Sequence, residues 1–187
     1  MPPKIKVTAD DVIKAAVEIV RESGDAALNA RALAERIGCS TQPIFSNFRN
    51  MDEVRATVIA EADWISREYI DREIRKKEYP PYKASGMAYI LFAGEEKELF
   101  KLLYMRDRSR ESVSEDTELN RTMTDMVAEG TGLAGDRSRL FHLEMWAFVH
   151  GIAAMSATGF LDLPRELISD MLTDCYNGLK LRFGGEK

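Results

Sequence analysis

Between Leu140 and Met155, twelve of sixteen residues are apolar, and His142, Glu144 and His150 are the polar ones. A helix that is apolar nearly all round must be covered on several sides, so this segment calls for a bundle of further helices. The rest of the chain supplies them. Nearly every segment has helical spacing and none shows a clean strand alternation, which makes the fold class all-α. No apolar run reaches the roughly 20 residues a bilayer span requires. Cys39 and Cys175 lie far apart with neither metal-ligand spacing nor a disulfide framework, and the N-terminus lacks a signal-like apolar region. The expectation is a cytoplasmic protein with no membrane partner.

The helix starts and stops can be read residue by residue. Thr8 and Asp11 have the spacing of a capping box, with Val12, Ala16, Val17 and Val20 on the inner face behind them. Ser23-Gly24-Asp25 ends that helix. Asn29 is the expected N-cap of a short helix over residues 30–37, and Gly38 supplies its left-handed stop. Ser40 is expected to cap a third helix whose first turn tolerates Pro43. Asn50 caps a longer helix from about Asp52 to about Lys77. After a break at Tyr79-Pro80-Pro81, further helices are expected over roughly 82–94, 96–105, 115–130, 137–159 and 164–182, with a polar loop at 106–115. The expected domains are residues 1–52, a three-helix helix-turn-helix domain, and residues 53–187, a helical domain for ligand binding and dimerisation.

The stretch LNARALAERIGCSTQPIFSNFRNMDEV, from Leu28 to Val54, is the most informative. Two short helices joined by Gly38-Cys39-Ser40 can cross steeply, which exposes the second for entry into a DNA major groove. On that helix Thr41, Gln42 and Asn47 suit base edges or phosphates, and amides at its start can hold a phosphate. The expected contact set is Lys4, Lys6, Asn29, Arg31, Ser40, Thr41, Gln42, Phe45, Ser46, Asn47 and Arg49. Charge is consistent with this division. Residues 1–60 carry eight basic and eight acidic side chains, so the whole net charge of −5 lies in residues 61–187.

The same residues resemble the N-terminal domain of TetR-family transcriptional regulators. The family pattern R-x-[IL]-A-x-x-x-G-[VC]-[ST]-x-x-x-[IL]-Y-x-x-F-x-x-K-x-x-L is met at Arg31, Leu33, Ala34, Gly38, Cys39, Ser40, Ile44 and Phe48. Gly24 ends the first helix as the family's does, and Val54 is a conservative variant. The chain departs from the pattern at Phe45, where the family has Tyr, and at Met51, where it has Lys. Both departures remove a phosphate-positioning group; Lys4 and Lys6 are candidates to compensate. The run Trp146-Ala147-Phe148-Val149-His150-Gly151 resembles a Trp…His-Gly signature of one TetR subgroup. What the resemblance implies is a ligand-responsive dimer on double-stranded DNA, acting as a repressor on a palindromic operator and released by a small-molecule effector.

In the C-terminal half, the last helix has an apolar stripe of Leu167, Ile168, Met171, Leu172, Cys175 and Tyr176. Phe141, Met145, Phe148 and Ile152 form a bulky stripe on the helix before it. The two helices can pair with their copies in a four-helix homodimer interface. An effector pocket would draw on Tyr89, Phe92, Phe100, Tyr104, Met123, Met126, Trp146 and His150. No P-loop, G-x-G-x-x-G, G-x-S-x-G or C-x-x-C is present, and His142 and His150 lack the H-E-x-x-H spacing. Neither a metal nor a cofactor is therefore expected, and the chain reads as a regulator and not an enzyme. A helical adaptor without DNA binding and a helical-bundle enzyme are the alternative readings.

Overall fold

The computed structural model describes residues 7–107 and 118–184, and every regular element among them is helical. In chain order these are α1 (Ala9–Ser23), a 3-10 turn (Asp25–Ala27), α2 (Ala30–Ile37), α3 (Gln42–Asn47), α4 (Met51–Lys76), α5 (Pro81–Glu95), α6 (Lys97–Tyr104), α7 (Glu118–Thr131), α8 (Asp136–Thr158) and α9 (Arg165–Gly184). The described residues fall into two compact units. One lies within Met1–Ser66 and Glu96–Arg106, the other within Arg67–Glu95 and Asp107–Lys187.

In the first unit, local chemistry sets the helix ends. Thr8 Oγ1 accepts from the Asp11 amide at 3.2 Å and the Thr8 amide donates to Asp11 Oδ2 at 2.9 Å, a reciprocal box with Asp in the usual Glu place. The Thr8 amide, together with the Thr8 hydroxyl that donates to the same Oδ2 at 2.7 Å, holds the Asp11 carboxyl below its ordinary range. Val12, Ala16 and Val20 on α1 are fully buried, and α1 packs on α2 and α6. Gly24 ends α1 at φ 77°, a backbone conformation that favours glycine. Arg21 adds a two-nitrogen grip on Glu96 at 2.8 and 2.9 Å.

The second unit is built around α8, which packs against α5, α7 and α9. Val127, Phe141, Met145 and Phe183 form one buried cluster, flanked by Tyr82, Leu133, Cys175, Tyr176 and Leu179. Ile70, Ala88 and Met123 form another. Gly86 on α5 is a close-approach position: a Cβ there would stand 3.0 Å from Leu172 Cδ2 of α9 and 3.5 Å from Val149 Cγ2 of α8. At the start of α9, Arg165 reaches the buried Glu73 and the exposed Glu78, each at 3.1 Å. Burial pushes the Glu73 carboxyl up, but its bonds to Lys76 and Arg165 outweigh that and hold it below the ordinary range.

Two tyrosine–histidine pairs join α5 to α8. Tyr82 Oη lies 3.0 Å from His142 Nδ1 and Tyr89 Oη lies 2.9 Å from His150 Nδ1. Burial lowers both imidazole pKa values, which favours the neutral rings, and raises that of the Tyr82 hydroxyl. With the ring proton on Nε2, each hydroxyl donates to Nδ1. A pKa lowered by folding makes stability fall as pH drops below the unfolded-state value, here 6.5. The urea midpoint is expected to hold above pH 7 and to decline between pH 7 and 5, as the unfolded chain takes up protons that the folded rings resist. A His142→Gln, His150→Gln double variant should flatten that interval. An unchanged slope in the variant would show that other groups set it.

Candidate nucleic-acid interface

The candidate reading head is α2, its turn and α3. Asn29 caps α2 as its residue type predicts, with Oδ1 accepting from the Arg31 and Ala32 amides at 3.1 and 3.0 Å. Gly38 stops α2 in the left-handed region, at φ 75° and ψ 36°. Leu33 and Ala34 of α2 and Ile44 of α3, followed by Phe48, are buried, so each short helix keeps one face inward and the other outward.

Ser40 does not cap α3, contrary to expectation. The helix begins at Gln42, the N-cap position belongs to Thr41 in a helical backbone conformation, and no side chain caps it. Pro43, the second residue of the helix, withholds one of the two amides that an N-cap oxygen can take.

Five arginines lie between Thr8 and Ser66, and they divide into two groups. Arg21 is paired with Glu96, Arg36 with Glu18 and Glu22, and Arg55 with Asp25 and the Leu28 carbonyl. The guanidinium groups of Arg31 and Arg49 are exposed and have no ion pair among the described residues. Thr41 and Gln42 are exposed too, and their side chains make no hydrogen bond among the described residues. Two of the expected base readers have internal duties instead. Ser46 Oγ donates to the Gln42 carbonyl at 3.0 Å. Asn47 Nδ2 donates to the carbonyls of Pro43 at 2.8 Å and Val7 at 3.3 Å. Arg49 and Glu53 complete a second box around Asn50: the Glu53 amide donates to Asn50 Oδ1 at 2.9 Å and the Arg49 amide to Glu53 Oε2 at 2.6 Å. Lys4 and Lys6 lie outside the described residues, as does most of the 106–115 loop.

The residues expected around an effector are divided between the units. Phe100 and Tyr104 sit on α6 in the first, with ring centroids 5.1 Å apart. Tyr89, Phe92, Met123, Met126, Trp146 and His150 belong to the second. There Trp146 stacks on His150 at 5.1 Å and 26°, and His150 bonds Tyr89, which joins three of the named side chains.

The residues expected at a dimer interface differ in how far this chain itself covers them. Phe141, Met145, Ile152, Ile168 and Leu172 are buried within this chain, and Phe148, Met171, Cys175 and Tyr176 are half-buried. α8 turns Leu140, Leu143, Ala147, Gly151 and Thr158 outward, and α9 turns Leu167, Asp174, Gly178 and Leu181 outward. Leu140, Leu143, Ala147 and Gly151 recur at three- and four-residue intervals, as do Asp174, Gly178 and Leu181, so each run lies on one helix face. The apolar content of α8 showed that it needed cover, but which side its own chain would cover depended on where α5 and α7 dock.

An all-helical chain of this layout, with a pair of short helices joined by a tight turn ahead of further helices, belongs to a known class. Residues 82–175, half of the chain, match the family of tetracyclin repressor-like C-terminal domains. The chain belongs to the tetracyclin repressor-like (TetR) family of transcriptional regulators, a family of regulators and not of enzymes. Solved structures share the fold. A TetR-like transcriptional regulator from Rhodococcus sp. RHA1 aligns over 100% of both chains at 16% identity with a TM-score of 0.70. A second Rhodococcus sp. RHA1 protein, of unknown function, aligns over 97% of this chain and 98% of its own at 19% identity and 0.72. A TetR family member from Streptomyces coelicolor A3 covers 89% of this chain and 96% of its own at 16% and 0.63. No curated protein matches the sequence. No helix among the described residues is long and apolar enough to cross a membrane.

Proposed function

We propose that this chain is a ligand-responsive repressor that binds a palindromic operator as a homodimer in the cytoplasm and leaves it when a small molecule binds. The observation that carries this reading is the state of the reading head. Arg31, Thr41, Gln42 and Arg49 keep their side chains exposed and uncommitted, while the neighbouring arginines are tied into ion pairs. Residues 1–52 serve DNA, and residues 53–187 serve the effector and the partner copy. Arg31 and Arg49 take phosphates, and Gln42 takes a base edge. The outward faces of α8 and α9 meet their copies across a two-fold axis, and operator half-sites lie about one helical turn (~34 Å) apart. Tyr89, Trp146 and His150, with Phe92, Met123 and Met126, hold the effector. It releases DNA by binding best the state whose two heads do not fit that spacing.

A gel shift with the region upstream of this protein's own gene, at low salt and without effector, is expected to show a discrete complex. Gln42→Ala should reduce the preference for that sequence over random duplex about tenfold, equivalent to one lost base-edge contact. Absence of binding to any duplex under those conditions would refute the reading.

A further inference from the structure

Phe45 lies three residues beyond Gln42 and shares its outward face on α3, with 46% of its surface open to solvent. The groups beside it have little to offer a base. The Ser46 hydroxyl hydrogen is used on Gln42, and Asn47 Nδ2 has both hydrogens engaged on the carbonyls of Pro43 and Val7. An asparagine reads adenine by donating and accepting together, and this one can only accept. The outward inventory of α3 is therefore Thr41, Gln42 and a phenyl ring. That ring has no hydroxyl with which to reach a phosphate. The apolar feature of a major-groove edge is the 5-methyl of thymine, and contact with it removes ring and methyl from water together. We propose that Phe45 is a specificity-determining residue that reads a thymine 5-methyl in each operator half-site. The proposal rests on the operator-binding reading above.

The test separates the two. Duplexes selected from a random pool by the full-length protein supply an operator. Each thymine is then replaced in both half-sites by deoxyuridine, which removes the methyl and leaves base pairing intact, and affinity is read by fluorescence anisotropy. At one symmetric position, replacement is expected to weaken binding about tenfold, equivalent to two buried methyl groups. Phe45→Ala should bind the thymine and uracil forms of that operator equally, and Phe45→Leu should keep part of the preference. Phe45 is exposed, so both variants should melt like the wild type. The inference is overturned if no position matters to the wild type, or if Phe45→Ala retains the full discrimination. If the pool yields no bound duplex, the operator reading itself fails and this inference falls with it.

Discussion

Leu143→Glu should give a folded protein of half the wild-type mass. Leu143 is 56% exposed on the outward face of α8, so a carboxylate there costs the single chain little. In the proposed dimer it would meet its own copy near the two-fold axis, where burying like charges is unfavourable. Light scattering at micromolar concentration is expected to report a monomer, with the wild-type helical content and melting transition retained. Operator affinity should fall about a hundredfold or more, because two linked reading heads become two independent ones. A Leu143→Glu protein that kept the wild-type mass would exclude this face as the interface.

Phe141→Ala should act on the other side of the same helix. Its ring is fully buried, with Tyr176 at 5.3 Å and Phe183 at 5.6 Å between ring centroids. Removing it leaves a cavity inside the second unit and should cost about 3–5 kcal/mol. A domain of ordinary stability has roughly 5–15 kcal/mol in all, so the loss is a large share of the total. The urea midpoint should drop steeply while its slope stays unchanged. A loss under about 1 kcal/mol would mean that the ring is not part of this chain's core. Together the two variants distinguish packing within the chain from packing between copies.

What could be read in the sequence follows the range of the interactions. The Thr8–Asp11 box, the Asn29 cap and the Gly38 stop are set within three or four residues, and each appears where its residue type places it. Ser40 has a capping residue type but lies one position ahead of the cap, because the helix starts at Gln42, where Pro43 also withholds one of the two amides a cap can take. Side-chain duties at long range were not legible. Asn47 has the composition of a base reader, but its tie to Val7, forty residues away, depends on the fold. The bonds Tyr82–His142, Tyr89–His150 and Arg165–Glu73 join residues 60 to 92 positions apart, and no spacing rule announces them. The bulky stripe on α8 was a sound sign of burial but carried no information about whose atoms would bury it.

The two tyrosine–histidine bonds between α5 and α8 act as rungs of a ladder. They stand seven residues apart on α5 and eight apart on α8. A slide of one helix along the other by a single turn, about 5.4 Å, would separate both rungs at once and offer neither tyrosine a new histidine. The α5–α8 pair therefore behaves as a keyed shaft, locked along its length. Any signal this pair transmits must travel as a turn or tilt of both helices together, and a ligand that works by sliding them would first have to break the key.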